Sequence, residues 1–383
     1  MAPIDTAPLD VPPGLKGVVV AETALGDVRG EEGFYHYRQH AAPELARRRS
    51  LEDVWHLLLD GELPDAARRR DFAEQLAPLR HPAPAVLRAL PAIAADSGSL
   101  AVALRTALSH HAAVLDLPPM LDCSAEQRRH QALAVSAAVP AIVAALHRLR
   151  LGLDPVSPRT DLPLAADYLR MVHGTEADPD HVRAIEQYLV LGLDHGFNAS
   201  TFTARVVTST GSDLGSAVVA ALGALLGPLH GGAPSRSLDT LDAIGDPANA
   251  AGWVRATVAA GGRIMGFGHA VYRTEDPRCV LLREIAEGLG GELVAQAVAV
   301  EAEVERTLAE LKPGRRLKAN VEWYAAVVMA GCGLDRSLFT PTFAASRVIG
   351  WCAHALEQAA DGRLIRPSSR YVGPPAPQPV PPA

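Results

Sequence analysis

Two stretches of this chain, Ala132–Leu146 and Ala217–Leu229, contain no charged residue at all. Each is shorter than the roughly 20 residues that a membrane-spanning helix needs, and Pro140 interrupts the first. They therefore read as helices that must be covered by other protein. Both are rich in Ala, Leu and Val, and this holds for the whole chain: apolar residues make up 48% and aromatic residues only 5%. An interior built from small and branched aliphatic side chains favours helices that approach each other closely. With 383 residues there is enough chain for an ample core in one large or two smaller domains.

The patterning around these stretches predicts an all-α fold with one short N-terminal hairpin. Lys16–Arg38 has β-branched and aromatic pieces punctuated by Gly17, Gly26, Gly30 and Gly33, which suits the hairpin. Ser50 is a candidate N-cap, followed by Glu52 and Asp53 in the first turn, with Leu51, Val54, Leu57 and Leu58 on one face and Gly61 as the stop. Further helices are predicted over about 65–79, 83–95, 100–114, 125–150, 164–171, 180–193, 200–209, 213–226, 246–260, 278–289, 293–311 and 321–330. A short piece at 337–339 leads to a last helix over 344–358. In 213–226 the four-residue spacing of Gly215, Val219, Gly223 and Gly227 suggests close backbone approach. Residues 1–14 and 373–383 are Pro-rich and read as a loose terminus and a disordered tail.

Several function classes are set aside. Net charge is −7 with no long run of one sign, which argues against a nucleic-acid partner. Cys123, Cys279, Cys332 and Cys352 lack C-x-x-C spacing, so neither a metal site nor a disulfide framework is expected. The N-terminus has no basic-then-apolar signal pattern, and a reduced, cytoplasmic setting with no membrane contact is expected. There is no P-loop, H-E-x-x-H or G-x-S-x-G motif, and Gly266-x-Gly268 lacks the third glycine of a dinucleotide fingerprint.

The chemistry-bearing residues are elsewhere. His230 lies in Gly227-Pro228-Leu229-His230-Gly231-Gly232, and His269 in Met265-Gly266-Phe267-Gly268-His269-Ala270-Val271-Tyr272-Arg273. Histidine beside flexible backbone suits proton transfer to a small bound molecule. Gly231-Gly232 could open a helix whose free N–H groups hold an anion or oxyanion. Glu322 sits in Asn320-Val321-Glu322-Trp323-Tyr324, where burial would raise its pKa toward the range useful for a base. Almost all the positive charge is arginine, the residue suited to two-point carboxylate binding. Arg278, Arg347 (in an otherwise apolar segment) and Arg366 are the anion-binding candidates. His110, His111, His130, His147 and His354 read as ordinary surface or core residues.

On these segments the chain resembles the citrate synthase family. Leu193-Asp194-His195-Gly196-Phe197-Asn198, Gly227-Pro228-Leu229-His230-Gly231-Gly232, Gly266-Phe267-Gly268-His269, Asp276-Pro277-Arg278, Asn320-Val321-Glu322, Ser346-Arg347 and Ile365-Arg366-Pro367 follow one another in the family's order, from about Gly14 to Gly373. The resemblance implies an all-α homodimer, with a large domain over 15–231 and 334–372 and a smaller mobile one over 232–333. No long N-terminal extension precedes Gly14, so the simple dimer is expected. The implied reaction condenses acetyl-CoA with oxaloacetate and hydrolyses the thioester, with no metal and no cofactor beyond the coenzyme A thioester substrate. Alternatives are a 2-methylcitrate synthase using propionyl-CoA, and a catalytically weak homologue that binds oxaloacetate or CoA as a sensor or interaction subunit.

The resemblance also implies roles. His230 stabilises the enol or enolate of the thioester, His269 polarises and protonates the keto-acid carbonyl, and Glu322 is the base. His195, Arg278 and Arg347 hold the oxaloacetate carboxylates, with Arg366 arriving from the partner subunit. Arg273, Arg263, Ile264, Met265, Gly266 and Gly268 lie near CoA. Two departures stand out. The family's usual base is Asp, whereas Glu322 is one methylene longer. Pro234-Ser235 stands where many members have Asn-Glu.

Overall fold

The computed structural model describes residues 10–227, 230, 234–269 and 271–381, with the backbone alone at Pro234 and Ser235. The helix-opening reading of Gly231-Gly232, the first nine residues and the last two lie outside the described residues. Helices carry nearly all of the regular structure, as the patterning predicts, and the remainder is a three-stranded antiparallel sheet near the N-terminus.

That sheet pairs Gly26–Arg29 with Phe34–Tyr37, in the register Gly26↔Tyr37 to Arg29↔Phe34, and adds His40–Ala41 at its other edge. Side chains alternate along a strand, so Tyr35 and Tyr37 both turn inward and are fully buried. The Tyr37 hydroxyl lies 2.9 Å from the Val190 carbonyl oxygen and 3.0 Å from those of Leu191 and Asp194. The hairpin is thereby fastened to the end of helix Pro179–Gly192 and the turn that carries His195.

The segment 125–150, which contains the first uncharged stretch, divides into the helices Ala125–Ala137 and Val139–Arg150. Pro140 has no N–H to give to the carbonyl four residues back, so the single predicted helix breaks at Ala138. By length and composition this 26-residue run could cross a membrane, but 89% of its most apolar window is buried inside the protein. The opposite correction applies at the C-terminus. Two pieces were expected around 337–358, but Phe339–Asp361 is one helix of 23 residues. Its Pro341 falls in the first turn, where the missing N–H has no intrahelical partner to lose. Helix Ala42–Arg48 escaped the patterning because it is only seven residues long and ends in Arg47 and Arg48.

Two glycines bring backbones together. Gly215 packs helix Leu214–Leu225 against Ala112, whose Cβ would lie 2.3 Å from a Cβ added at 215. The other spaced positions do less: a Cβ at Gly223 would meet nothing within 4 Å. Gly350 brings the C-terminal helix so near the Leu193 turn that an added Cβ would sit 2.0 Å from the Leu193 carbonyl oxygen. This contact sets Arg347, one turn earlier on that helix, beside the His195 loop.

Candidate active site

A cleft of about 1380 Å³ is lined by residues from all of the sequence-predicted motifs but the one around Arg366: His195, His230, Arg263–Gly268, His269, Arg278, Glu322 and Arg347. What joins them is a short backbone pairing. Phe267 bridges Ala319, the Gly268 N–H donates to the Lys318 carbonyl (2.7 Å), and the Asn320 N–H donates to that of Gly266 (2.8 Å). The His269 loop and the start of helix Val321–Gly331 are thus held edge to edge. Gly266 has φ +86°, and a Cβ there would press 2.8 Å from the Trp323 ring, so both conformation and space favour glycine.

Backbone N–H groups anchor both glycine-flanked histidines. The His269 Nδ1 accepts from the backbone N–H groups of Val271 (2.9 Å) and Tyr272 (3.0 Å). Two fixed donors make Nδ1 an acceptor, while Nε2 lies 3.2 Å from Nη2 of Arg278. The His230 Nε2 accepts from the Ser200 N–H at 3.3 Å and lies 2.8 Å from the Ser200 hydroxyl. Its proton is therefore on Nδ1. Ser200 Oγ also accepts from the Trp351 indole N–H (3.1 Å) and lies 2.8 Å from Asn198 Oδ1. Burial pushes the pKa of both histidines down to about 4, reinforced at His230 by Arg347 and at His269 by Arg278. At His269 the nearby Asp276 carboxylate opposes the shift. Both are neutral hydrogen-bond donors at pH 7. The His195 Nε2 lies 2.8 Å from the Tyr272 hydroxyl. Burial, then Arg278, Arg347 and His269, hold its pKa well below the usual histidine range.

The two buried arginines differ. Arg278 makes a two-point ion pair with Asp276, Nε to Oδ1 at 3.0 Å and Nη2 to Oδ2 at 2.8 Å, between the rings of Tyr35 and Tyr272. Arg347 has no carboxylate within ion-pair distance among the described residues. Its Nε donates to the Gly192 carbonyl (2.7 Å) and its guanidinium lies 4.6 Å from the centre of the Phe343 ring. A cation only 2% exposed and lacking a counter-charge is costly, and a bound anion would offset the cost.

Glu322 is the second residue of its helix. Asn320 caps that helix, its Oδ1 accepting from the Glu322 N–H at 3.0 Å. Trp323 turns into the core against Phe267, with ring centres 4.9 Å apart, and the helical turn of about 100° per residue directs Glu322 toward the cleft. Burial pushes its pKa up to about 7, with Arg278 opposing and Asp276 reinforcing.

The remaining predicted residues are placed differently. Arg263, Ile264, Met265, Gly266 and Gly268 line the cleft, and Arg236, Lys312 and Arg315 add positive charge to it. Arg273 is exposed and outside the lining, its backbone N–H donating to the Gly30 carbonyl at 3.0 Å. Arg366 is exposed beyond the C-terminal helix, away from this cleft. Sequence reasoning assigned no role to Ser200, Trp351, Asp276 or Tyr272. Ser200 and Asp276 lie in or beside the motif segments, but nothing in their spacing indicates which side chains they meet.

A family model for the citrate synthase C-terminal domain matches residues 14–368. The chain belongs to the citrate synthase family. Citrate synthase 2 of Bacillus subtilis is 37% identical over 366 residues, covering 94% of this chain and 95% of that one. The 2-methylcitrate synthase of Mycobacterium tuberculosis is 39% identical over 371 residues, covering 97% and 92%. Among solved structures, the ternary complex of the citrate synthase from Thermoplasma acidophilum with carboxymethyl coenzyme A and oxaloacetate has a TM-score of 0.88 at 29% identity, covering 95% of this chain and 97% of that one. The citrate synthase from Pyrobaculum aerophilum has a TM-score of 0.84 at 36% identity, covering 95% and 93%. Citrate synthase membership thus rests on sequence and fold alike, over nearly the whole chain.

Proposed function

We propose that this protein condenses acetyl-CoA with oxaloacetate and hydrolyses the resulting thioester, releasing citrate and CoA. One observation carries the reading: two neutral histidines, each anchored at one ring nitrogen by backbone N–H donors, and a carboxylate poised near neutrality line the same cleft. A thioester α-proton is far less acidic than a carboxylic acid of pKa about 4.3, so the carboxylate needs help. Glu322 takes the proton as the His230 Nδ1–H stabilises charge developing on the thioester oxygen. The α-carbon then forms a bond to the oxaloacetate carbonyl carbon. The carbonyl oxygen, hydrogen-bonded to the His269 Nε2–H, receives a proton and becomes the tertiary hydroxyl. Water finally cleaves the thioester, giving a carboxylate and free thiol.

Arg347 and Arg278, with His195, are the carboxylate ligands in this reading, and Arg366 is supplied to the site of a partner subunit. Half-buried Phe202, Val206, Val207 and Val219 on the paired helices Ala199–Ser209 and Leu214–Leu225 support a homodimer. Arg236, Arg263, Lys312 and Arg315 suit the phosphates of CoA. Residues 232–333 serve as the mobile domain that closes to exclude water.

Propionyl-CoA is the second candidate thioester, favoured by the 2-methylcitrate synthase relative. One methylene in a pocket is worth only about 1–3 kcal/mol. The extra methylene of Glu322 takes space beside the acyl group and favours the acetyl substrate. Thiol release from each thioester, with oxaloacetate present, is the deciding measurement. Turnover with acetyl-CoA is expected. No turnover with either thioester would overturn the reading in favour of a binding-only homologue.

A further inference from the structure

Tyr272 touches both histidines of the keto-acid side of the cleft, through different groups. Its backbone N–H donates to His269 Nδ1 at 3.0 Å, and its hydroxyl lies 2.8 Å from His195 Nε2. Its ring packs against both imidazoles, with centres 4.7 Å from His269 and 5.5 Å from His195. The two imidazoles are themselves 5.9 Å apart, and the Arg278 guanidinium lies 5.9 Å from the tyrosine ring. Only 3% of the residue is exposed.

The loop around it is held from the opposite side. The Arg273 N–H donates to the Gly30 carbonyl at 3.0 Å, and a Cβ at Gly30 would lie 2.3 Å from the Val271 carbonyl oxygen. The hairpin turn therefore sets the height of the loop, and Tyr272 sets its registration on His195.

We propose that Tyr272 is a positioning residue of the oxaloacetate pocket that holds the rings of both histidines in place at once. The inference rests on the proposed reaction for the identity of the ligand. Among the described residues, His195 Nε2 is the one recorded hydrogen-bond partner of the Tyr272 hydroxyl. The hydroxyl engages His195 through Nε2 and thereby fixes the orientation of that ring. The backbone N–H of Tyr272, together with that of Val271, holds His269 through Nδ1, with Nε2 turned toward Arg278. One residue thus ties the orientations of the two imidazoles together across the boundary between the proposed domains.

The two contacts can be separated by mutation. Tyr272→Phe keeps the ring packing and the backbone donor to His269 but removes the hydroxyl. The expected result is about a tenfold rise in KM for oxaloacetate, with the thioester KM within twofold and an unchanged melting temperature. A Tyr272→Leu variant, which also loses the ring contacts, should raise the oxaloacetate KM further. A KM for oxaloacetate within twofold of the parent in Tyr272→Phe would overturn the proposal. So would an equal rise in both KM values, which is the pattern of general loosening. Calorimetric Kd values for oxaloacetate give the same comparison without turnover. A parent that binds oxaloacetate but releases no thiol fails the proposed reaction and still tests Tyr272; a parent that binds none overturns both.

Discussion

The Asn320 side-chain amide donates to the Gly268 carbonyl at 2.9 Å. Its oxygen, at the other end of the same amide, accepts from the Glu322 N–H at 3.0 Å. One planar group therefore spaces the His269 loop from the helix that carries Glu322.

Asn320→Asp keeps the cap acceptor and removes the donor to Gly268. Loss of kcat by about 10- to 100-fold is expected, because a shift on the order of 1 Å at the reacting centre costs that much. Asn320→Ala loses the cap as well and should also lower stability by about 1 kcal/mol. Steady-state kinetics and urea unfolding of the two variants separate the effects, and equal kcat in Asn320→Asp and the parent would refute the spacing role.

Glu322 gives paired predictions in activity and stability. A base whose pKa is pushed up to about 7 should give a kcat that rises with pH on a limb centred near 7. Glu322→Gln should abolish turnover while keeping the shape of the site. The sign for stability is opposite to that of a salt-bridged carboxylate. The folded pKa lies above the unfolded one, so the folded state binds more protons between them and stability falls as pH rises through that window. Glu322→Gln should therefore melt at a higher temperature than the parent at pH 8, and the gain should disappear near pH 4. A pH-independent difference in melting temperature would contradict this assignment.

Arg347 should show binding and stability in conflict. Arg347→Met removes a buried cation that lacks a carboxylate partner among the described residues, and replacing such a charge with an apolar group of similar volume is commonly neutral or stabilising. Oxaloacetate binding should fall by two orders of magnitude or more, equivalent to about 3 kcal/mol, while the melting temperature holds or rises. Calorimetry and a thermal melt on the same sample test both parts, and a marked fall in melting temperature would show that the guanidinium is a structural prop.

Ser200 supports His230 through two groups of unequal importance. Ser200→Ala keeps the backbone N–H that sets the His230 tautomer, but removes the hydroxyl that meets both the imidazole and the Trp351 indole. About a tenfold loss in kcat is expected, from one neutral hydrogen bond and an indole N–H left unpaired. The oxaloacetate KM should stay within twofold, since the change lies on the thioester side. A rise in that KM with kcat intact would place His230 on the wrong substrate.

Much of this site is legible in the sequence. His230, His269, Glu322, Arg278 and Arg347 were each singled out by composition, neighbours or motif, and all five line one cleft. The helical patterning also worked, because a 3.6-residue period is a local property of the chain. What escaped was long-range. The contacts of Ser200 with Trp351, 151 residues away, and of Tyr272 with His195, 77 residues away, depend on which helices become neighbours. Prolines were misjudged in both directions: Pro140 breaks a helix that looked continuous, and Pro341 begins one that looked interrupted. In each case the position within the helix, not the residue type, decides.

The contact between Gly350 and Leu193 has a further consequence for anyone redesigning the keto-acid pocket. Arg347 sits on the helix that makes this contact and His195 on the turn that receives it, so the two proposed anion ligands are geared together without clearance. A side chain at 350 would not relocate one ligand relative to the other; it would wedge apart the pieces that carry them. The pocket can therefore be retuned by exchanging its side chains, whereas the spacing of its walls is a fixed dimension of the scaffold.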